Sequence, residues 1–307
     1  MPSILESICL IMIAGETVLG TWISGFIALV NCIDWIKSRK LSLVNFLLMN
    51  LGLSRICLLW IMLINGMSSI LDTIKAIHIL GQLWMTASYS SISFVTCLNI
   101  FYFLKIAHFS HPLFLWLRWR IKRVILMILL GSLVIFLFLT LPLREEFKND
   151  FIRSMERKEE KNHTGIFQMK TSQFINVYIL PYLGPFILLI MSLISCFLLI
   201  LSLWRHICQM HLNATGSKDA NTEAHIRVMG WMFSFLFFII LYYLGISITT
   251  LISSMAGKRQ MDLLGIAISG FYPSGHSLIL ILGNRKLRHA YLWMQQQALF
   301  CLRGRKP

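Results

Sequence analysis

Apolar residues fall along this chain in seven long runs, over 7–32, 42–66, 81–106, 124–143, 174–203, 228–255 and 263–283, separated by polar and charged connections. Each run supplies the ~20 residues that a helix needs to cross about 30 Å of hydrocarbon. In lipid every backbone amide must be satisfied within its own segment, which a helix achieves and irregular chain does not. The pattern predicts an all-α membrane protein, a seven-helix bundle forming one domain over 1–307, with 284–307 as a tail after the last span. Pro181 and Pro185 in the fifth run and Pro273 in the seventh each remove a backbone donor, so a kink is expected at each.

Charge orients the bundle. Of the 28 Lys and Arg residues, seventeen fall in one alternate set of connections and the tail, ten in the opposite set, and Arg55 inside a run. The positive-inside rule places the first set in the cytosol, so the N-terminus is expected outside and the C-terminus inside. The exception is the long loop over 144–170, which holds seven basic residues on the outer side among six acidic ones. Composition adds little beyond this. With 57% hydrophobic and 13% charged residues there is nothing left for a soluble domain. The net charge of +15 follows from basic flanks facing an anionic inner leaflet, so no nucleic-acid partner is expected.

Chemistry is sparse. No zinc-protease, nucleophile-elbow or phosphate-loop motif occurs, and no cysteine pair has metal-ligand spacing. An enzyme, a metal and a cofactor are therefore not expected. The seven cysteines lie in the runs or on the cytosolic side and suit apolar packing; Cys301, beside Arg303 and Arg305, is a candidate for palmitoylation. Two glycosylation sequons exist. Asn162 sits in the long outer loop and is expected to carry a glycan, which would make the chain a glycoprotein; Asn213 faces the cytosol and is not.

An ionisable group at hydrocarbon depth is costly and is a functional candidate. Arg55 lies ~20 Å from the start of its run at ~1.5 Å per residue, so it must face the bundle and find acceptors. It is expected to be a hydrogen-bonding hub that also switches. Glu16 and Asp262, near outer helix ends, face either a ligand cavity or the wet interface. His276, one turn after Pro273, is expected to be a neutral, hydrogen-bonded histidine in preference to a proton sensor.

Longer strings are more specific. The third run ends FYFLKIA (101–107), followed by FLWLRWR (114–120); the fifth ends SLWRH (202–206); the sixth is preceded by NTEAHIR (221–227); and the seventh contains YPSGHSLILILGNRKL (272–287). With LSR (53–55) and FIALVNCIDW (26–35), these closely resemble the taste receptor type 2, or bitter taste receptor, family from end to end. The resemblance implies a G-protein-coupled receptor in the plasma membrane for bitter small molecules, coupled to a gustducin-type heterotrimeric G protein. It implies ligand contacts at Trp84, Ser88, Tyr242 and Ile266. It further implies a switch region holding Arg55, Ser24, His276 and Ser277, and G-protein contacts at Tyr102, Lys105, Arg205, His206, His225 and Arg227. Homo- and hetero-oligomers are both left open. A vomeronasal type 1-like pheromone receptor is the nearest alternative; a small channel or transporter is the alternative of a different class.

Four positions depart from the family's usual residues. Ser24 stands in place of an asparagine, which is expected to cost Arg55 part of its polar partnership and to raise switching or impair folding. Ser88 stands in place of an asparagine and Ser93 of a tryptophan, so the pocket's polar reach differs from that of relatives. Gly230 replaces a lysine, with weaker G-protein contact as the expected consequence.

Overall fold

The computed structural model describes residues 3–39, 42–71, 74–107, 109, 111–156, 180–213, 220–253 and 259–302. Among them the backbone forms α1 (Ile4–Ser38), α2 (Leu43–Leu71), α3 (Ile74–Ile106), α4 (Pro112–Trp119), α5 (Ile121–Glu156), α6 (Leu180–Asn213), α7 (Ala220–Ser253), α8 (Arg259–Gly283) and α9 (Arg285–Leu302). The seven expected spans are α1, α2, α3, α5, α6, α7 and α8. Six are long and apolar enough to cross a membrane, and α7 contains a further apolar stretch, Phe233–Thr249.

Most helices outrun the apolar runs that predicted them; α5, for instance, continues thirteen residues past 143. An apolar run records only the length in hydrocarbon, whereas a helix continues as long as its hydrogen-bond ladder propagates. Local chemistry sets several ends. Ser3 caps α1 by accepting from the Glu6 amide at 3.2 Å, while the Glu6 carboxylate accepts from the Ser3 amide at 2.9 Å. The other end closes at Arg39, in left-handed conformation at φ 51°. Two helices were not expected from the apolar pattern. In α4, Pro112 sits in the first turn behind the His111 cap, and Phe103, Phe109 and Phe114 make three ring contacts that tie it to the end of α3. The tail forms α9, capped by Asn284, whose Oδ1 accepts from the Lys286 amide at 3.0 Å.

The helices close into a bundle in which α3 packs against α2, α5 and α6, while α8 packs against α1, α2 and α7. Large apolar side chains also face outward, among them Trp22, Leu130, Phe138, Phe197 and Phe237. In water these would be liabilities; against lipid tails they are solvated. With no hydrophobic drive between helices in lipid, close approach depends on small residues. Gly245 and Gly265 meet face to face, and a Cβ on Gly245 would lie 2.6 Å from the Gly265 carbonyl oxygen. Likewise a Cβ on Gly52 would lie 2.7 Å from the Ser24 carbonyl oxygen, holding α1 against α2.

The prolines divide. Pro185 and Pro273 lie inside α6 and α8, where the expected loss of a ladder bond applies. Pro181 is the second residue of α6, a place where no ladder bond is made from its nitrogen, so the kink expected there has no cause.

Candidate functional site

The site lies in the half of the bundle that holds the start of α3 and α6 and the end of α5 and α7. It is a cavity of about 140 Å³, lined by Trp84, Met85, Ser88, Tyr89, Ile92, Phe136, Pro185, Tyr242, Tyr243 and neighbours from these four helices. Helical periodicity puts Trp84 and Ser88 on one face, one turn apart. Across the cavity, the Tyr243 hydroxyl donates to the Pro185 carbonyl at 3.1 Å, using an acceptor near the proline break to hold α7 against α6. The Tyr89 hydroxyl donates to the Ser132 carbonyl at 2.8 Å, fixing α3 to α5. The walls are positioned by hydrogen bonds that cross between helices.

Three of the four ligand positions expected from the sequence, Trp84, Ser88 and Tyr242, stand on this wall. Ile266 does not. It is 2% exposed inside an apolar cluster with Cys9, Ile13, Leu58, Met62 and Leu263, against which Trp84 also packs. The face of α8 carrying Ile266 is turned toward α1 and α2, so the residue backs the site instead of lining it. Glu16 and Asp262 do not line the cavity either. Glu16 lies against α8, its carboxylate so close to Gly270 that a Cβ there would sit 2.0 Å from Oε2. Sequence reasoning missed Tyr89, Phe136 and Tyr243; the aromatic spacing along α3, α5 and α7 was the available signal.

Beneath the cavity lies the hub. Arg55 is fully buried, its Nη1 donating to Ser277 Oγ at 2.8 Å and its Nη2 to His276 Nδ1. A guanidinium can only donate, so Nδ1 must accept and His276 carries its proton on Nε2. His276 is thus hydrogen-bonded, through Nδ1, to Arg55. Arg55 also lies 5.4 Å from the centroid of Tyr272, a cation–π contact worth ~2 kcal/mol when desolvated. Its Nε has no partner.

Ser24 reaches this hub indirectly. Ser277 Oγ donates to the Pro273 carbonyl at 2.7 Å, so its proton is committed there. Ser24 Oγ, 3.0 Å away, is therefore the donor to Ser277. The Ser277 oxygen thus receives Ser24 and Arg55 together and passes its own proton to the backbone at the proline. The partnership expected between residue 24 and Arg55 runs through Ser277.

Cavity and hub share a wall. Tyr242, on the cavity, lies 5.2 Å from Tyr272, centroid to centroid, and Tyr272 stacks on His276 at 6.0 Å with 9° between planes. Phe235 closes the other side of His276 at 5.0 Å. An object pressing on Tyr242 therefore presses on Tyr272 and, through that ring, on His276, two of the three groups that hold Arg55.

At the far end, α3 and α6 run in the same direction, with Asn99 bonded to Ser192 at 2.7 Å and Thr96 to the Leu188 carbonyl at 3.3 Å. Lys105 and Arg205 consequently point to one end of the bundle, both exposed; Tyr102 is partly buried beside Phe101. Lys286 pairs there with Asp34 at 2.8 Å, and the Asn45 side-chain amide also donates to Asp34, tying α9 to α1 and α2. The side chains of His206, His225 and Arg227, the tail cysteine Cys301 and the sequon at Asn162 fall outside the described residues. Gly230 is exposed with open space around it.

A family model described as taste receptor protein (TAS2R) matches residues 1–298. The chain is 42% identical over 306 residues to taste receptor type 2 member 7 of Pongo pygmaeus, covering 98% of this chain and 96% of that protein. It is also 42% identical over 312 residues to taste receptor type 2 member 9 of Macaca mulatta, covering 100% and 99%.

Proposed function

The chain belongs to the taste receptor type 2 family, a G-protein-coupled bitter taste receptor of the plasma membrane and not an enzyme, and from that premise we propose how it signals. A small bitter agonist enters from the extracellular side, occupies the cavity against Trp84, Ser88 and Tyr242, and shifts the bundle to a packing that engages a gustducin-type G protein. The N-terminus lies outside, as the distribution of basic residues supports. Family membership sets aside the vomeronasal and transporter alternatives.

One observation carries the reading: Tyr242 belongs both to the cavity wall and to the ring stack that holds Arg55 and His276. A ligand shifts an equilibrium only if it binds one state more tightly than the other. Contact with Tyr242 supplies that difference when the Tyr242–Tyr272 packing differs between states. Pro185 and Pro273, the breaks in α6 and α8, are the pivots. Movement of the cytosolic ends of α6 and α7 then presents Arg205, His206, His225 and Arg227 to the G protein, beside Tyr102 and Lys105 on α3.

The test is calcium release in cells expressing the chain with a gustducin-type chimeric Gα, over a panel of bitter compounds. Trp84→Ala should raise the half-maximal agonist concentration at least tenfold at unchanged surface level. Unaltered potency removes Trp84 from the site.

A further inference from the structure

We propose that the hub is a binding site for a small monovalent anion, chloride, held by Arg55 on α2, Ser91 on α3 and Tyr272 on α8. None of the three lines the cavity, so the inference does not depend on what the cavity binds.

Arg55 carries a charge that its neighbours do not neutralise. The residue is 0% exposed, and its partners are a serine oxygen, an imidazole nitrogen and a tyrosine ring. These supply dipoles and no negative charge. The carboxylates described in the bundle are held elsewhere. Glu6 closes the capping box of α1, Asp34 takes Lys286 at 2.8 Å, and Asp262 lies in the first turn of α8. Glu16 lies against Gly270, six residues before His276 and so about 9 Å away along the helix. A guanidinium withdrawn from water without a counter-charge is strongly unfavourable, and arginine does not escape by giving up its proton.

The polar atoms left over point to what supplies that charge. Arg55 Nε, Ser91 Oγ and Tyr272 Oη are each buried without a hydrogen-bond partner, in residues that are all 0% exposed. They are neighbours: the Tyr272 hydroxyl faces both the Arg55 guanidinium and Ser91. Arg55 Nε can only donate, and the two hydroxyls rotate to donate with it. Ser91 keeps its proton for this purpose. Thr86, Ser90 and Ser93 on the same helix each donate to the carbonyl four residues earlier at 2.8 Å, and Ser91 makes no such bond. Three donors beside a cation select a negative occupant. A metal ion is repelled there, and a water accepts from the donors but leaves the charge unpaired. Among anions, a monatomic halide suits three residues that have no exposure. Bound there, it joins α2, α3 and α8 beside the Tyr272 ring against which Tyr242 and His276 pack.

The test is the half-inactivation temperature of the purified full-length chain in mild detergent, dialysed into sodium gluconate, chloride or bromide at equal ionic strength. Chloride at ~150 mM should raise the wild-type temperature by about 3 °C over gluconate, in a saturable manner, and bromide should replace it. Ser91→Ala and Tyr272→Phe, near-isosteric changes that each remove one donor, should each lose most of that rise. Ser90→Ala, whose hydroxyl is bonded to the Thr86 carbonyl, should keep it. Equal temperatures in gluconate and chloride would overturn the inference and leave water as the occupant. A halide effect undiminished in both variants would put the ion elsewhere and overturn it too. If the variants fail to fold, anomalous scattering from bromide in crystals of the wild-type chain decides: a peak between Arg55, Ser91 and Tyr272 supports the site, and no peak there refutes it.

Discussion

Replacing Ser277 by alanine should expose how the hub is wired. The change removes the oxygen that accepts from Arg55 Nη1 at 2.8 Å and from Ser24 at 3.0 Å. A hydrogen bond to a charged group contributes about 1.5–3 kcal/mol and a neutral one about 1 kcal/mol. Ser277→Ala alone should therefore cost about 3 kcal/mol, more than a hundredfold in an equilibrium constant. Ser24→Ala removes only the neutral bond and should cost about 1 kcal/mol. The informative variant carries both. Because the Ser24 hydroxyl acts through Ser277, the double variant should be no less stable than Ser277→Ala, leaving a coupling of about 1 kcal/mol between the sites. The assay is the half-inactivation temperature of fluorescently tagged receptor extracted in mild detergent, measured for all four chains with surface fraction recorded in parallel. Losses that simply add would show that residue 24 supports Arg55 by some other route, and the relay through Ser277 would fall.

Two further outcomes are expected. Gly245→Ala should lower the inactivation temperature and the surface fraction, because its Cβ would meet the Gly265 carbonyl oxygen at 2.6 Å and the Ser269 nitrogen at 2.7 Å, backbone atoms that cannot rotate away. Overpacking of this kind costs about 1–3 kcal/mol, whereas Gly230→Ala, with nothing within 4 Å, should be neutral or stabilising; a Gly245 variant as stable as the Gly230 one would refute the close contact. Asn162→Gln should abolish the mobility shift produced by a glycosidase, and a shift that persists would place the wrong loops outside.

Much of the scaffold was legible before folding. Run length fixes the spans because hydrocarbon thickness is a ruler, and unsatisfied amides in lipid leave the helix as the only local solution for a span. Arg55 was forced inward for a related reason: a guanidinium that cannot reach water must find acceptors within the bundle. Helix ends were less legible, since α5 and α9 extend through polar sequence where no apolar pattern marks them. For α9 a signal did exist, in the Asn284 cap.

The identity of the partners was a different matter. Ser277, His276 and Tyr272 lie more than two hundred positions from Arg55, and nothing in local spacing selects them; the packing of α2 against α8 does. The same packing turned Ile266 into the core while leaving Trp84, Ser88 and Tyr242 on a cavity, a difference of helix rotation that a single sequence does not carry. The sequence by itself determined which segments span and which polar groups would have to be paired, because those follow from the cost of burying polar atoms. Which groups pair depends on the relative rotation and approach of helices, and only the tertiary structure decided that.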